Sequence, residues 1–368
     1  MRILVLGGYG NFGARICRAL AADPHISLLI GGRDMQRAEA LAAQLPGAEA
    51  LRVDSSQADL TDLLRAQRVG FLIHTAGPFQ GLDYAVARAA AAAGAHYIDL
   101  ADGRRFVCDF PAALDVLFRA AGRSAVSGAS TVPALSSAVA DALTEGWQRI
   151  DSIDICIAPA QTAPRGEATM AAVLSYCGAP IQVWQAGRWQ TRYGWAAPER
   201  VQFQRLRTRL GALCDIPDLE LFPQRYTGVQ TMLFRAALEL GLAQRGLAVL
   251  AALHRSGLLR RPQDLARLLN HSAGLLDRLG SALGGMVVRV QGLAADSAVA
   301  RRAWHIAADD DHGPEIPCMA AILLARRLAR GEALPLGAQA CMGLLKLAEF
   351  GAEFSRWGMQ TDLVDEPA

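Results

Sequence analysis

The chain has 368 residues, 52% of them apolar and 20% charged, which is material for roughly two domains with real cores and argues against disorder. Its net charge of +2 is too balanced to advertise a nucleic-acid groove or a polybasic membrane patch. A single lysine, Lys346, stands among 36 arginines, in Gly343-Leu-Leu-Lys346 with Met342 four positions before it. That removes a Gly-Lys-Ser/Thr phosphate loop and a Tyr-x-x-x-Lys dehydrogenase pair, and leaves Schiff-base chemistry only one ill-placed candidate.

The first third alternates regularly. Apolar runs at Ile3–Leu6, Ser27–Ile30, Ala50–Val53, Val69–His74, Tyr97–Leu100 and Ser124–Val126 predict strands. Between them, Gly13–Ala22, Met35–Gln44, Leu60–Gln67, Tyr84–Ala93 and Ala112–Ala121 predict helices, with Asp34 and Asp59 as N-caps. This spacing predicts an α/β fold, a doubly wound parallel sheet of Rossmann type. After Gly128 the pattern changes. A helix over Ala134–Thr144 precedes a strand at Ile150–Ile157, a hairpin of Ile181–Trp184 with Arg188–Arg192, and strands at Val201–Leu206, Val287–Gln291 and Ala303–Ala307. Helices are expected over Met232–Leu253, Pro262–Leu283 and Met319–Arg330. The expected division is residues 1–128 as the nucleotide domain and 129–368 as an α+β domain with a mixed or antiparallel sheet. Helices from about 318 are expected to pack back on the first domain.

The strand at the N-terminus runs at once into Gly8-x-Gly10-x-x-Gly13 and then a helix. Gly8 permits the tight turn, Gly10 lets a pyrophosphate approach the backbone, and Gly13 lets helix and strand pack closely. The helix N-terminus adds positive dipole toward the phosphates. The second strand ends in Gly31-Gly32-Arg33 rather than in the acidic residue that holds the ribose hydroxyls of NAD; the adjacent Asp34 could mimic that residue but is better placed as the helix cap, so glycine space and a guanidinium favour the 2′-phosphate of NADP(H) over NAD(H). Asp54, ending the third strand, is a candidate for the adenine amino group or a loop cap. Ala76-Gly77-Pro78, ending the fourth, lets backbone pass beside ribose and nicotinamide.

Together these residues resemble the saccharopine dehydrogenase-like oxidoreductases over about the first 135 positions. The resemblance is carried by Val5-Leu-Gly-Gly-Tyr-Gly-Asn-Phe-Gly13, Gly32-Arg33, Ala76-Gly-Pro-Phe79, Tyr97-Ile-Asp99 and Gly128-Ala-Ser-Thr-Val-Pro133. Cys214–Pro223 and Gly313–Pro317 look like a bacterial branch of that family. The resemblance implies an NADP-binding domain, in which Asn11 and Phe12 join the three glycines at the cofactor, and a substrate domain with a cleft between the two. It departs at Asp102-Gly103, where the family commonly has Gly-Glu. It also includes enoyl reductases of lipid biosynthesis, so a lipid-like substrate weighs as much as an amino-acid-like one.

The expected reaction is hydride transfer to an imine or an activated C=C of a small molecule. Candidate catalytic groups are Asp99 at the end of the fifth strand, Arg165 in a proline-flanked loop, and Tyr226 after Arg225, each weighed against a role as cap or turn residue. The alternative is an NADP-binding regulatory or lipid-surface protein without turnover, Met232–Leu253 being read as a core or dimer helix or, less readily, an interfacial one. A homodimer is expected and nucleic acid is not. No metal is expected, because Asp309-Asp-Asp-His312 and His305 match no ligand spacing. Seven scattered cysteines without Cys-x-x-Cys predict a reducing, cytoplasmic setting, and the N-terminus does not read as a signal peptide.

Overall fold

The computed structural model describes residues 1–55, 59–164 and 167–367. The chain forms two compact units, one of Met1–Leu135 with Glu315–Leu345 and one of Ser136–Pro314 with Lys346–Ala368.

The first unit begins β1 (Arg2–Leu6), α1 (Asn11–Leu20), β2 (Ser27–Gly32), α2 (Met35–Ala42), β3 (Glu49–Arg52), α3 (Leu60–Ala66), β4 (Phe71–His74), α4 (Ala85–Ala93), β5 (His96–Asp99), α5 (Arg104–Ala120) and β6 (Ser124–Ser127). Ile3, Leu4 and Val5 of β1 and Phe71, Leu72 and Ile73 of β4 are completely buried, as expected of central parallel strands covered on both faces. Asp34 caps α2 by accepting from Arg37 N at 3.1 Å. Asp59 makes no such bond, so its expected capping role is not realised. The helix expected from Ala112 starts earlier, at Arg104.

The second unit contains α6 (Ser136–Leu143), β7 (Arg149–Ala158), α7 (Glu167–Ser175), β8 (Pro180–Gln185), β9 (Arg188–Tyr193), β10 (Glu199–Val201), β11 (Arg209–Leu213), α8 (Asp218–Arg225), β12 (Thr231–Ala236), α9 (Gly241–Arg255), α10 (Ala266–Leu275), β13 (Gly284–Leu293) and β14 (Val299–Ala308). The chain then returns to the first unit with α11 (Ile316–Ala329) and β15 (Gly337–Ala340), and ends in the second with α12 (Leu347–Arg356) and β16 (Gln360–Asp365).

The first sheet is ordered β15-β6-β5-β4-β1-β2-β3 and every pairing is parallel. The second is mixed: β12 pairs parallel with β7, while β7–β13, β13–β14, β14–β16 and the β8–β9 hairpin are antiparallel. Three expectations are corrected here. Met232 does not open a helix: Thr231–Ala236 is an interior strand whose Met232 and Phe234 are buried, and the helix begins only at Gly241. The strand expected over Val201–Leu206 stops at Val201, and its antiparallel partner is Arg209–Leu213. The helix expected through Leu283 ends at Leu275.

Candidate active site

In the first sheet the strand order reverses between β1 and β4, and that switch point is where open α/β sheets bind ligands beyond the carboxyl ends of their strands. The glycine loop is built there. Gly7 takes φ +80°, a conformation that favours glycine, and the N–H groups of Gly7 and Gly8 both donate to Gly31 O, at 2.9 and 3.0 Å. Gly10 N donates to Gly7 O at 2.8 Å, and Gly10 is the N-cap of α1.

The glycines have separable reasons. At Gly13 a Cβ would collide with Gly7 O and lie 2.8 Å from both Gly8 Cα and Thr75 Oγ1, so only glycine lets α1 seat against the loop and the end of β4. At Gly10 a Cβ would meet only Gly7 O, at 3.1 Å, which leaves its other sides open for a ligand. Thr75 Oγ1 donates to Leu6 O at 2.9 Å and ties β4 to β1 below the loop. Beyond it lie Ala76 and a cis Gly77–Pro78 peptide at the same edge.

The end of β2 differs from expectation in one respect. The space above Gly32 is not empty: a Cβ there would lie 2.6 Å from Cζ and Oη of Tyr9. Gly32 therefore makes room for a tyrosine ring rather than for a phosphate. Tyr9 Oη accepts from Asp34 N at 2.9 Å, and the Arg37 guanidinium carbon stands 4.7 Å from the ring centroid, a cation–π distance. Arg33 and Arg37 are both exposed at this edge, so a second guanidinium joins the one read from the sequence. Its signal was available: Arg37 lies in the first turn of the helix that Asp34 caps, just after Arg33. Asp54 is half-buried after β3.

Asp99 is completely buried. Its Oδ1 accepts from Gly128 N at 2.8 Å, Ser127 Oγ at 2.9 Å and Ala101 N at 3.0 Å. Burial pushes its carboxyl up to about 6 despite these donors. Such an arrangement positions the ends of β5 and β6. Nearby, His74 Nδ1 lies 3.1 Å from Tyr97 Oη, and burial lowers the imidazole to about 4, so it is neutral. Burial, followed by the Asp99 charge, holds the Tyr97 phenol well above its ordinary value. At the position where the resemblance fails, Asp102 accepts from Gln80 Nε2 at 3.1 Å.

In the second unit Tyr226 is likewise enclosed. Its hydroxyl donates to Asp141 Oδ1 at 2.8 Å, and Arg225 reaches Asp141 Oδ2 at 2.6 Å. Burial and the Asp141 charge push the phenol strongly upward, and its hydroxyl donates to Asp141. Arg165 lies outside the described residues. The Cys214–Pro223 motif contains an acid that the sequence did not single out: Asp218 is completely buried, accepts from Ser136 Oγ at 2.5 Å, and is pushed up to about 7 by desolvation. Lys346 is an exposed N-cap of α12.

With this geometry in hand, comparison with known proteins is direct. Residues 3–143 match the family model of the saccharopine dehydrogenase NADP binding domain. That likeness covers the glycine loop and the strands of the first sheet through β6. Among solved structures, apo saccharopine dehydrogenase (L-Glu forming) from Saccharomyces cerevisiae matches with a TM-score of 0.74 at 12% identity, over 100% of both chains. Homospermidine synthase from Legionella pneumophila, solved in complex with NAD, matches with a TM-score of 0.59 at 10% identity, over 99% of this chain and 91% of that one. No curated protein matches by sequence. The chain thus shares the fold of these two proteins, and its glycine loop and β2 end are the elements that would hold a dinucleotide.

Proposed function

We propose that this saccharopine dehydrogenase-like protein is an NADP(H)-dependent oxidoreductase that transfers hydride to an imine or an activated C=C of a small amino-acid-like or lipid-like molecule. The observation that supports the reading is the β2 edge, where Arg33 and Arg37 stand exposed beside the glycine loop and the adjacent acid, Asp34, is engaged as the cap of α2. Tyr9, fixed by Asp34 N and stacked under Arg37, holds the second guanidinium at that edge. Gly8, Gly10, Asn11, Phe12 and Gly13 line the pyrophosphate path, Asp54 takes the adenine side, and Ala76-Gly77-Pro78 receives the ribose and nicotinamide. Asp99 keeps Gly128 N and Ala101 N in place at the same edge of the sheet. Proton handling falls to a group other than lysine. A cytoplasmic homodimer completes the proposal.

Titrating NADPH and NADH into the protein tests the cofactor reading. Loss of one charged hydrogen bond to the 2′-phosphate is about 1.5–3 kcal/mol, so Arg33→Ala and Arg37→Ala are each expected to weaken NADPH about 10- to 150-fold with NADH nearly unchanged. Equal affinity of the parent for both cofactors refutes the NADP assignment. Imino acids, enones and enoyl thioesters screened for loss of NADPH absorbance then test turnover. A second reading, NADP binding without turnover, draws support from the internal commitments of Asp99 and Tyr226. Tight NADPH binding with no oxidation across that screen selects it.

A further inference from the structure

Two consecutive helices of the second unit each carry an outward apolar row. Helix α9 turns Leu242, Val249 and Leu253 outward at i, i+7 and i+11, and α10 with its following turn repeats the spacing with Leu268, Leu275 and Leu279. Leu242 is 76% exposed, and Leu258 in the link between the helices is 80% exposed. These helices are docked rather than loose, since Gln244, Leu247 and Ala251 of α9 and Ala266 of α10 are buried on the inner side. Residues 241–279 contain six arginines against Asp264 and Asp277, a net +4 within a chain whose total is +2. Arg245, Arg260, Arg261 and Arg278 are exposed among the leucines. At the C-terminal end of α9, Arg255 stands 3.9 Å from the Tyr193 ring centroid beside a groove lined by Pro180 and His254. No helix among the described residues is long and apolar enough to cross a membrane.

We propose that the 241–279 segment is an interfacial docking surface for a bilayer containing anionic phospholipid. Leucines spaced along helices sink to the acyl boundary, while arginine stems lie along the apolar layer and their heads meet phosphate. Charge decides between occupants. A two-fold contact with a second copy would set one +4 segment against another, whereas anionic headgroups complement it. The inference does not depend on the cofactor reading, because every residue it uses lies in the second unit.

Flotation of the full chain with phosphatidylcholine vesicles, with and without phosphatidylglycerol, tests it. Co-flotation is expected only with phosphatidylglycerol and should fall as salt shortens the screening length. Each arginine near an anionic surface contributes about fivefold in partitioning, so R260A/R261A should lose about 25-fold. L258S/L275S should also reduce flotation, and parent-like circular dichroism and thermal unfolding of both variants show that the fold is intact. Absence of flotation, or equal flotation on the two vesicle types, overturns the proposal. So does a concentration-dependent dimer abolished by L258S/L275S in a protein that ignores vesicles, which assigns the surface to a second copy.

Discussion

Gly10 and Gly13 are both single methyl groups away from alanine, yet they should fail differently. At Gly13 the added Cβ collides with Gly7 O and sits 2.8 Å from Gly8 Cα and Thr75 Oγ1, where real Cβ contacts essentially never fall under 3.0 Å. Two of these three are backbone atoms, and Thr75 is held by Leu6 O at 2.9 Å, so the loop must move as a body. Overpacking of this kind costs about 1–3 kcal/mol, and losing the Gly10 N to Gly7 O bond would add about 1 kcal/mol. Gly13→Ala should therefore lower stability by about 2–4 kcal/mol. At Gly10 the backbone already has φ −75° and ψ 176°, which alanine adopts, and the Cβ meets only Gly7 O at 3.1 Å. Gly10→Ala should leave stability within about 1 kcal/mol of the parent. Its methyl nevertheless occupies the pyrophosphate path, and a displacement on the order of 1 Å can cost about 100-fold, so NADPH affinity should fall by that order. Denaturant unfolding and a fluorescence titration of NADPH measure the two quantities. Parent-like NADPH binding by Gly10→Ala refutes the assigned pyrophosphate path, and parent-like stability of Gly13→Ala refutes the packing argument.

Two buried carboxyls should tilt stability with pH. Asp99 at about 6 and Asp218 at about 7 lie above the ordinary 3.8, so the folded state keeps protons that the unfolded chain releases. Their contributions are complete below about pH 4 and decline as pH rises through those values, by at most about 3 and 4 kcal/mol. Asp99→Asn and Asp218→Asn should each flatten the slope of unfolding free energy between pH 4 and about 7; an unchanged slope in either variant removes that carboxyl from the account. Tyr226→Phe removes the O–H donated to Asp141 and should cost about 1 kcal/mol of stability while leaving kcat unchanged. A large fall in kcat would return Tyr226 to the catalytic machinery.

What was legible in the sequence follows from locality. The parallel sheet was readable because strands buried on both faces appear as unbroken apolar runs, as in Ile3–Leu6 and Phe71–His74. The glycine loop was readable because its spacing answers to the turn itself. Thr231–Ala236 was misread because an apolar run leading into helical sequence has no period of its own; pairing with β7 makes it a strand. Strand β15, Gly-Ala-Gln-Ala, carries no β-branched residue and exists only because it pairs with β6, more than 200 positions earlier.

The sequence by itself determined the fold class and the place of the dinucleotide loop, and its single lysine determined which proton-transfer chemistries are closed to this chain. Only the tertiary structure decided what each candidate side chain touches. It filled the space over Gly32 with Tyr9, enclosed Asp99 and Tyr226, and brought Arg37 to the edge where Arg33 stands. The physical reason is that composition and local spacing set which groups are available. Burial and partners, which set the proton affinity of a carboxyl or phenol, are set by residues distant in the chain.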